Sequence, residues 1–375
     1  MVAVKGLDLL PPIVTTKEAL NLYKKVSAIK SITGRLNSEL DHSIINAQLI
    51  QMLTLKESVQ STRIEGTQVT FADIIDEATK KNKSSDVIEV ENYMKALSEG
   101  IEFIHNGNPI SSRLIKALHK TLMGKNTRGT SAGAGVFRKV QDFLGPNNKI
   151  EDATYILIGA NEIGNYMTNL EYFINSTDHV SFEKNISDDQ IVLDETSDVL
   201  IKTAIMHAQF ESIHPFLDGN GRLGRILIVL TTMQDGLFNK PVFFVSEELE
   251  KERLRYYNLL NGIRGSHPDW YHWIDFFLDA CHRMATNMLE KLDKINQLAS
   301  DGLMKIDSNS KINQVWLATF MKPFITVKEV SDHLNISVAT TRNALNKLVT
   351  LHLVDVDQSK TKNKVYVNYD LLRLL

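Results

Sequence analysis

Residues 207–225, HAQFESIHPFLDGNGRLGR, constrain this chain more than any other stretch. Before the corner Ile201, Ala204, Ile205 and Ala208 recur at helical spacing, and after it Leu223, Ile226, Leu227 and Leu230 do the same. Pro215 and Gly219 bar a continuous helix through the middle. The spacing therefore predicts a helix, a tight loop from His214 to Gly219 that presents a histidine, and a second helix that starts at a glycine-rich corner.

Such a corner has a chemical use. Gly219 and Gly221 let the backbone approach a ligand closely. The unpaired N–H groups at the start of the second helix, together with its dipole, favour an anion. Arg222 and Arg225, three apart, could grip further phosphate oxygens. Asp218 would repel the same anion, and a bridging Mg²⁺ resolves that conflict, held by one carboxylate plus phosphate oxygens. His214 is the group of this turn able to take a proton near neutral pH. Together these residues indicate phosphoryl or nucleotidyl transfer. A plain helix–loop–helix corner with a capping histidine and solvated arginines would leave so many non-packing residues in one turn unexplained.

His214-Pro215-Phe216-Leu217-Asp218-Gly219-Asn220-Gly221-Arg222-Leu223-Gly224-Arg225 resembles the signature of the Fic (filamentation induced by cAMP) family, with no departure at its fixed positions. The resemblance implies a helical Fic core that moves AMP from ATP to a Ser, Thr or Tyr hydroxyl of a target protein and of the chain itself. It makes His214 the base and Asp218 the Mg²⁺ ligand, with Gly219, Asn220, Gly221, Arg222, Leu223, Gly224 and Arg225 holding ATP. It also implies a homodimer.

Upstream, Ile45, Leu49, Met52 and Leu53 give a helix an apolar face, and the helix runs on to Ser61-Thr62-Arg63-Ile64-Glu65-Gly66. Ser61 and Glu65 share a face, and Gly66 is a natural left-handed stop. Alone this is an ordinary helix end. Beside the signature it resembles the inhibitory motif of the family, which implies that Glu65 pairs with Arg225 and keeps its guanidinium from the γ-phosphate of ATP. The inhibitory helix would span about residues 45–66.

Gly129 to Gly145 changes character, and a small hairpin is expected within Val136–Leu144. The resemblance makes Val136, Phe137, Arg138, Lys139 and Val140 a flap that binds an extended target segment by strand addition. One departure lies nearby: Ala153-Thr154-Tyr155 is followed by Ile156-Leu157-Ile158-Gly159-Ala160, where many relatives carry prolines, so target identity does not transfer. Farther on, the resemblance puts Tyr256, or next Tyr257, against the nucleotide base. His267 and His272, near Trp270 and Trp273, lack metal-ligand spacing and are expected to be structural.

The length of 375 residues implies two or three domains, and 43% hydrophobic with 23% charged residues fits a soluble globular protein. A net charge of −3 carries no overall nucleic-acid signal. Cys281, the only cysteine, fits a cytoplasmic protein, and the N-terminal apolar run is too short for a signal peptide or membrane span. The expected fold is mainly α: residues 1–110 as a helical region, 111–285 as the core with its β-hairpin flap, 286–310 as a connecting helix and linker, and 311–375 as a second domain. Within the first region the helical pattern begins at Thr16 and breaks near Thr33-Gly34. It continues over 71–106 on Phe71, Ile74, Ile75, Val87, Val90, Tyr93, Met94 and Leu97, with Lys80 to Lys83 as a solvated loop. Ser111 or Ser112 caps the next helix.

After a linker at Ser308-Asn309-Ser310, three helices and a hairpin (Val354 and Val356, then Val365 and Val367 across a Lys-rich tip) resemble a winged helix. Its third helix carries Thr340, Thr341, Arg342 and Asn343. A net charge of +4 over 311–375 is only mildly basic, so DNA binding is not favoured over protein docking. Two alternatives stay open: removal of AMP or use of another nucleotide donor, and a DNA-binding regulator acting through the winged helix.

Overall fold

The computed structural model describes residues 3–374 apart from 71–72, 75–76, 78–82, 125–132, 148, 307–309 and 357–363. Phe71, Ile75, Lys80 to Asn82, Gly129, Ser308, Asn309 and the tip of the C-terminal hairpin therefore lie outside the described residues. Contacts divide the chain into one unit of residues 1–33 with 57–284 and another of residues 34–56 with 285–375. The chain is mainly helical, as its apolar periodicity requires. In order the helices are α1 (Thr16–His42), α2 (Asn46–Ile64), α3 (Ser85–His105), α4 (Ser112–Leu122), α5 (Ile163–Ile174), α6 (Val199–Ile213), α7 (Asn220–Gln234), α8 (Ser246–Lys251), α9 (Arg253–Gly262) and α10 (Trp270–Lys305). They are followed by α11 (Ser310–Ala318), α12 (Val327–Leu334), α13 (Val338–Thr350) and α14 (Tyr369–Leu374).

The first unit is built on α6 and α7, the helices that flank the signature corner. Every residue of α6 from Leu200 to Ile213 is buried, and α7 is buried from Arg222 to Met233. A helix enclosed on all sides belongs at the centre of a core, and each of Ile201, Ile205, Leu227 and Leu230 contributes about 1.5–3 kcal/mol by leaving water. The two helices pack on each other, α3 packs on α4 and α7, and α5 packs on α6. The Asp198 side chain caps α6 by accepting the Leu200 N–H at 3.0 Å, and Ser111 rather than Ser112 caps α4.

Short strands complete this unit. Strand β1 (Val4–Lys5) pairs in parallel with β4 (Tyr155–Ile156), which pairs antiparallel with β3 (Phe143–Leu144), and β2 (Ile13–Thr15) pairs antiparallel with β5 (Gln190–Val192). The hairpin expected within Val136–Leu144 is thus displaced: its arms are β3 and β4, and Val136 to Val140 form no strand. The cause is Arg138, whose backbone N–H and side chain are both drawn to carbonyls of the signature corner. The helix break expected at Thr33-Gly34 is also absent. Helix α1 runs on to His42, and the ~1 kcal/mol cost of a mid-helix glycine is outweighed by burial of Val26, Ile29, Leu36 and Leu40 along it.

In the second unit, β6 (Phe324–Thr326), β8 (Val365–Val367) and β7 (Asp355–Val356) form an antiparallel sheet in that order. It accompanies α11, α12 and α13, which pack on one another. Helix α12 starts at a capping box of Thr326 and Glu329, and Ser337 caps α13. Trp316 is fully buried and its indole N–H donates to Ala299 O at 2.9 Å. Among the described residues no helix is long and apolar enough to cross a membrane.

A Cβ at Gly302 would lie 2.3 Å from the rigid Trp316 ring. Gly302→Ala, which raises helix propensity, should therefore lower stability by about 1–3 kcal/mol through overpacking. Thermal unfolding checks this; an unchanged or higher melting temperature would show that the ring has room to move.

Candidate active site

His214 ends α6 in the left-handed region, at φ 48° and ψ 62°. Its Nδ1–H donates to Glu211 O at 3.3 Å, which leaves the lone pair on Nε2. Burial, reinforced by the Arg264 cation, pushes the imidazole pKa down to about 4. It is therefore neutral, and able to accept a proton, throughout the physiological range.

The loop behind this histidine is pinned from two sides. The Asn220 amide accepts the Phe216 N–H at 3.0 Å and donates to Phe216 O at 2.8 Å. His119 of α4 stacks on the Phe216 ring at 3.7 Å, donates from Nε2 to Asp218 O at 2.9 Å and accepts the Gly135 N–H on Nδ1 at 2.8 Å. That arrangement needs a neutral ring, and burial lowers the His119 pKa accordingly. Nothing in the sequence marked His119, a lone histidine in an amphipathic helix.

The corner's two arginines face different surroundings. Arg225 is 1% exposed; its Nη2–H donates to Glu65 Oε1 at 2.6 Å and to Ser61 O at 2.9 Å, and its Nε–H donates to Ser61 Oγ at 2.7 Å. Burial alone would raise the Glu65 pKa, but the Arg225 guanidinium pulls it below the ordinary carboxylate value. Burial likewise opposes the charge on Arg225, and Glu65 holds it on. The same carboxylate lies against the start of α7: a Cβ at Gly221 would come within 2.1 Å of Glu65 Oε1. It sits where a helix N-terminus favours an anion. Arg222 instead donates to the buried Glu89 at 3.0 Å and lies 3.6 Å from Asp218.

A cavity of about 490 Å³ opens beside these groups. Of the residues expected from the sequence, it brings together Glu65, His214, Gly221, Arg225, Tyr256 and Tyr257. Asp218, the expected metal ligand, and Gly219, Asn220, Arg222, Leu223 and Gly224 are not in its lining. Gly219, at φ 77°, turns its N–H to Asp218 Oδ1 at 2.6 Å, and Leu223 is packed in the core. Gly224 lies against Glu211 and His207, where a Cβ would meet Glu211 Oε1 at 2.3 Å. Ser61 reaches the site through Arg225 alone. Val136 to Val140 are likewise absent from the lining, where Leu144, Gly145 and Thr154 stand instead. Tyr256 is buried with its hydroxyl hydrogen-bonded to His207 Nε2 at 2.8 Å, whereas Tyr257 is 40% exposed and offers ring surface. A larger depression of about 940 Å³, lined by residues such as His105, Asn108, Asn175 and Gln234, carries no comparable set of cations.

For a metal, Asp218 is the fitting donor. Its side chain is 39% exposed, and among the described residues no three His, Cys, Asp or Glu side chains cluster as a metal site. A cation there would take one carboxylate and complete its shell from phosphate and water, which is how Mg²⁺ binds. Arg264 and Glu211 are lining residues that periodicity alone did not single out, although Glu211 lies three residues before His214 within the signature stretch.

The Fic/DOC family model matches residues 109–231, and the Fic/DOC family N-terminal model matches residues 23–102. A probable protein adenylyltransferase of Aquifex aeolicus is 52% identical over 46 residues, 12% of this chain and 14% of that protein. A Fido domain-containing protein of Dictyostelium discoideum is 36% identical over 103 residues, 26% of this chain and 66% of that protein. The chain thus spans less than two thirds of either relative. Among solved structures, a Fic family protein from Desulfovibrio desulfuricans superposes with a TM-score of 0.56 at 19% identity, covering 96% of this chain and 98% of its own. A form of Fic-1 from C. elegans gives 0.52 at 16% identity and covers 72% of each chain. These two likenesses are likenesses of fold.

Two buried carboxyls near Arg225 bear on stability. Burial raises Glu211 to about 7, and its Oε1 has no hydrogen-bond partner among the described residues. Burial also raises Glu57 to about 7, against the opposing hydrogen bonds from Ser246 and Tyr93. A folded-state pKa above the unfolded value means that the folded protein holds the extra proton, so the stabilisation is full below about pH 4.5 and is lost as pH rises through 7. Glu65, being lowered, acts only below that window. Between pH 5 and 7 each of these two carboxyls should lower stability by on the order of 1 kcal/mol per pH unit, while His119, His207 and His214, whose pKa values burial lowers, oppose that fall below about pH 6.5. Glu57→Gln should remove its share, so that stability measured by urea unfolding falls less, or rises more, from pH 5 to 7 than in the wild type; an unchanged slope would show that Glu57 titrates normally.

Proposed function

Because the chain carries a Fic/DOC family domain behind that family's N-terminal domain, we propose that it is an autoinhibited protein adenylyltransferase, moving AMP from ATP to a hydroxyl side chain of a target protein and of itself. The observation that carries this reading is the convergence of a neutral His214, the α7 N-terminus at Gly221 and the buried cation of Arg225 on one cavity whose lining also includes Tyr256 and Tyr257.

Nε2 of His214 takes the proton from the attacking hydroxyl. The hydroxyl oxygen forms a bond to the α-phosphorus, the bond from that phosphorus to the bridging oxygen breaks, and pyrophosphate leaves. The α7 N-terminus and Arg225 face the phosphates, and the Tyr257 ring offers a surface for the base. Asp218 would hold Mg²⁺, which neutralises phosphate charge when bound. Arg222, anchored on Glu89, keeps Asp218 in place.

Glu65 supplies the inhibition. Its carboxylate occupies the guanidinium and the helix start that the terminal phosphate of ATP needs. A nucleotide displaced from them loses alignment for in-line attack. We further read residues 311–374 as a winged helix, supported by their order of helix, strand, two helices and two strands. Protein docking suits its net charge better than DNA binding does.

The test uses α-labelled and γ-labelled ATP with Mg²⁺. Covalent label should come from the α position alone, be strongest in Glu65→Gly, and vanish in Glu65→Gly/His214→Ala, since base catalysis contributes about 10²–10⁴-fold. Equal labelling of wild type and Glu65→Gly would refute the inhibition, and label surviving the loss of His214 would refute its role as base.

A further inference from the structure

Arg138 is a buried cation in an unusual setting. The residue is 3% exposed and feels the charge of Asp142, yet among the described residues it makes no ion pair. Its guanidinium donates to backbone carbonyls alone: Nε–H to His214 O at 3.0 Å, Nη1–H to Val140 O at 3.0 Å, and Nη2–H to Ile158 O at 2.7 Å and Ile213 O at 3.4 Å. Its own backbone N–H donates to Pro215 O at 2.8 Å. Ile213 and His214 end α6, where carbonyls lack helical partners and the dipole is negative, so a cation is favoured there. Val140 and Ile158 stand at the two feet of the β3–β4 hairpin.

His214 needs such support. A residue with a Cβ pays roughly 1–2 kcal/mol in the left-handed region, and rotation back to an ordinary conformation would swing its carbonyl and its side chain together. A hydrogen bond that fixes the carbonyl therefore fixes the direction of the imidazole. We propose that Arg138 is a positioning residue, holding His214 in the conformation that aims its imidazole into the cavity and tying both feet of the β3–β4 hairpin to that histidine. The inference rests on the reading of His214 as the base. Lysine cannot replace this arrangement, because one ammonium cannot span the four carbonyls that the planar fork reaches.

The charges that face the His214 imidazole are Arg264, Glu65, Arg138 and the carbonyl end of α6 at Glu211. Loss of the Arg138 cation removes one group that disfavours the imidazolium, so the histidine should titrate at higher pH. The experiment compares Arg138→Lys and Arg138→Met in the Glu65→Gly background, each confirmed folded by thermal unfolding. Label transfer should lose kcat by about 10–100-fold, the size of effect that misplacing a reacting group produces. KM and the directly measured Kd for ATP should stay within about threefold, since Arg138 is not in the cavity lining. The Cε1–H resonance of His214, identified by its loss in His214→Gln, should titrate at higher pH in Arg138→Met than in the parent, whether or not label moves.

Unchanged kcat in a folded Arg138→Lys protein would overturn the proposal. So would a parallel loss of kcat and ATP affinity, which marks general damage, or an unmoved His214 titration in Arg138→Met. If the Glu65→Gly parent transfers no label, the adenylyltransferase reading fails, and the histidine titration still decides the role of Arg138.

Discussion

A guanidinium buried at the centre of the larger unit must be answered by negative charge, and Arg225 sets that condition here. Taking such a cation out of water costs several kcal/mol unless partners compensate. The chain meets the requirement with Ser61 on the last turn of α2 and Glu65 just past its end. Gly221 and Arg225 are four apart on α7, so the carboxylate that neutralises the arginine also covers the helix start. In the proposed function a phosphate competes with Glu65 for this one position. Inhibition then needs no separate device, because any anion that satisfies Arg225 is either the inhibitor or the substrate.

The second constraint is conformational. The turn from α6 to α7 passes through a left-handed His214 and a left-handed Gly219, with Pro215 between them. Tight corners of this kind persist only where the surroundings over-determine them. Three polar side chains do so by binding backbone: Asn220 across Phe216, His119 at Asp218, and Arg138 at His214. None of the three lines the cavity. The reactive groups sit on one face of a corner, and the groups that hold the corner sit behind it. A neutral His119 and a neutral His214 both follow from that burial, one as a support and the other, in the proposed function, as the base.

Much of this was legible beforehand for particular physical reasons. The apolar repeats around the signature marked α6 and α7, and the shared face of Ser61 and Glu65 was visible from their spacing. The reach of that face to Arg225, 160 residues away, came from resemblance rather than from spacing. Where local reading failed, a long-range contact had overridden a local preference. Gly34 suggested a break that packing along α1 does not permit. Val136 to Val140 alternate like a strand, but Arg138 draws that segment onto the corner and leaves β3 farther along. Arg222 shares a turn with Arg225, yet Glu89 on α3 claims it.

By itself, then, the sequence determined the corner, the histidine within it, the helices on either side and the pairing face of α2, because each depends on spacing within one helical turn or on the obligations of proline and glycine. Tertiary structure decided which of these groups meet in the cavity, which arginine is turned toward it and which is held behind it. It also decided that His214 stays neutral and that Glu57 and Glu211 hold protons to about pH 7. These outcomes depend on burial and on the charges that distant segments bring within a few ångströms, and neither quantity is encoded at any single position of the chain.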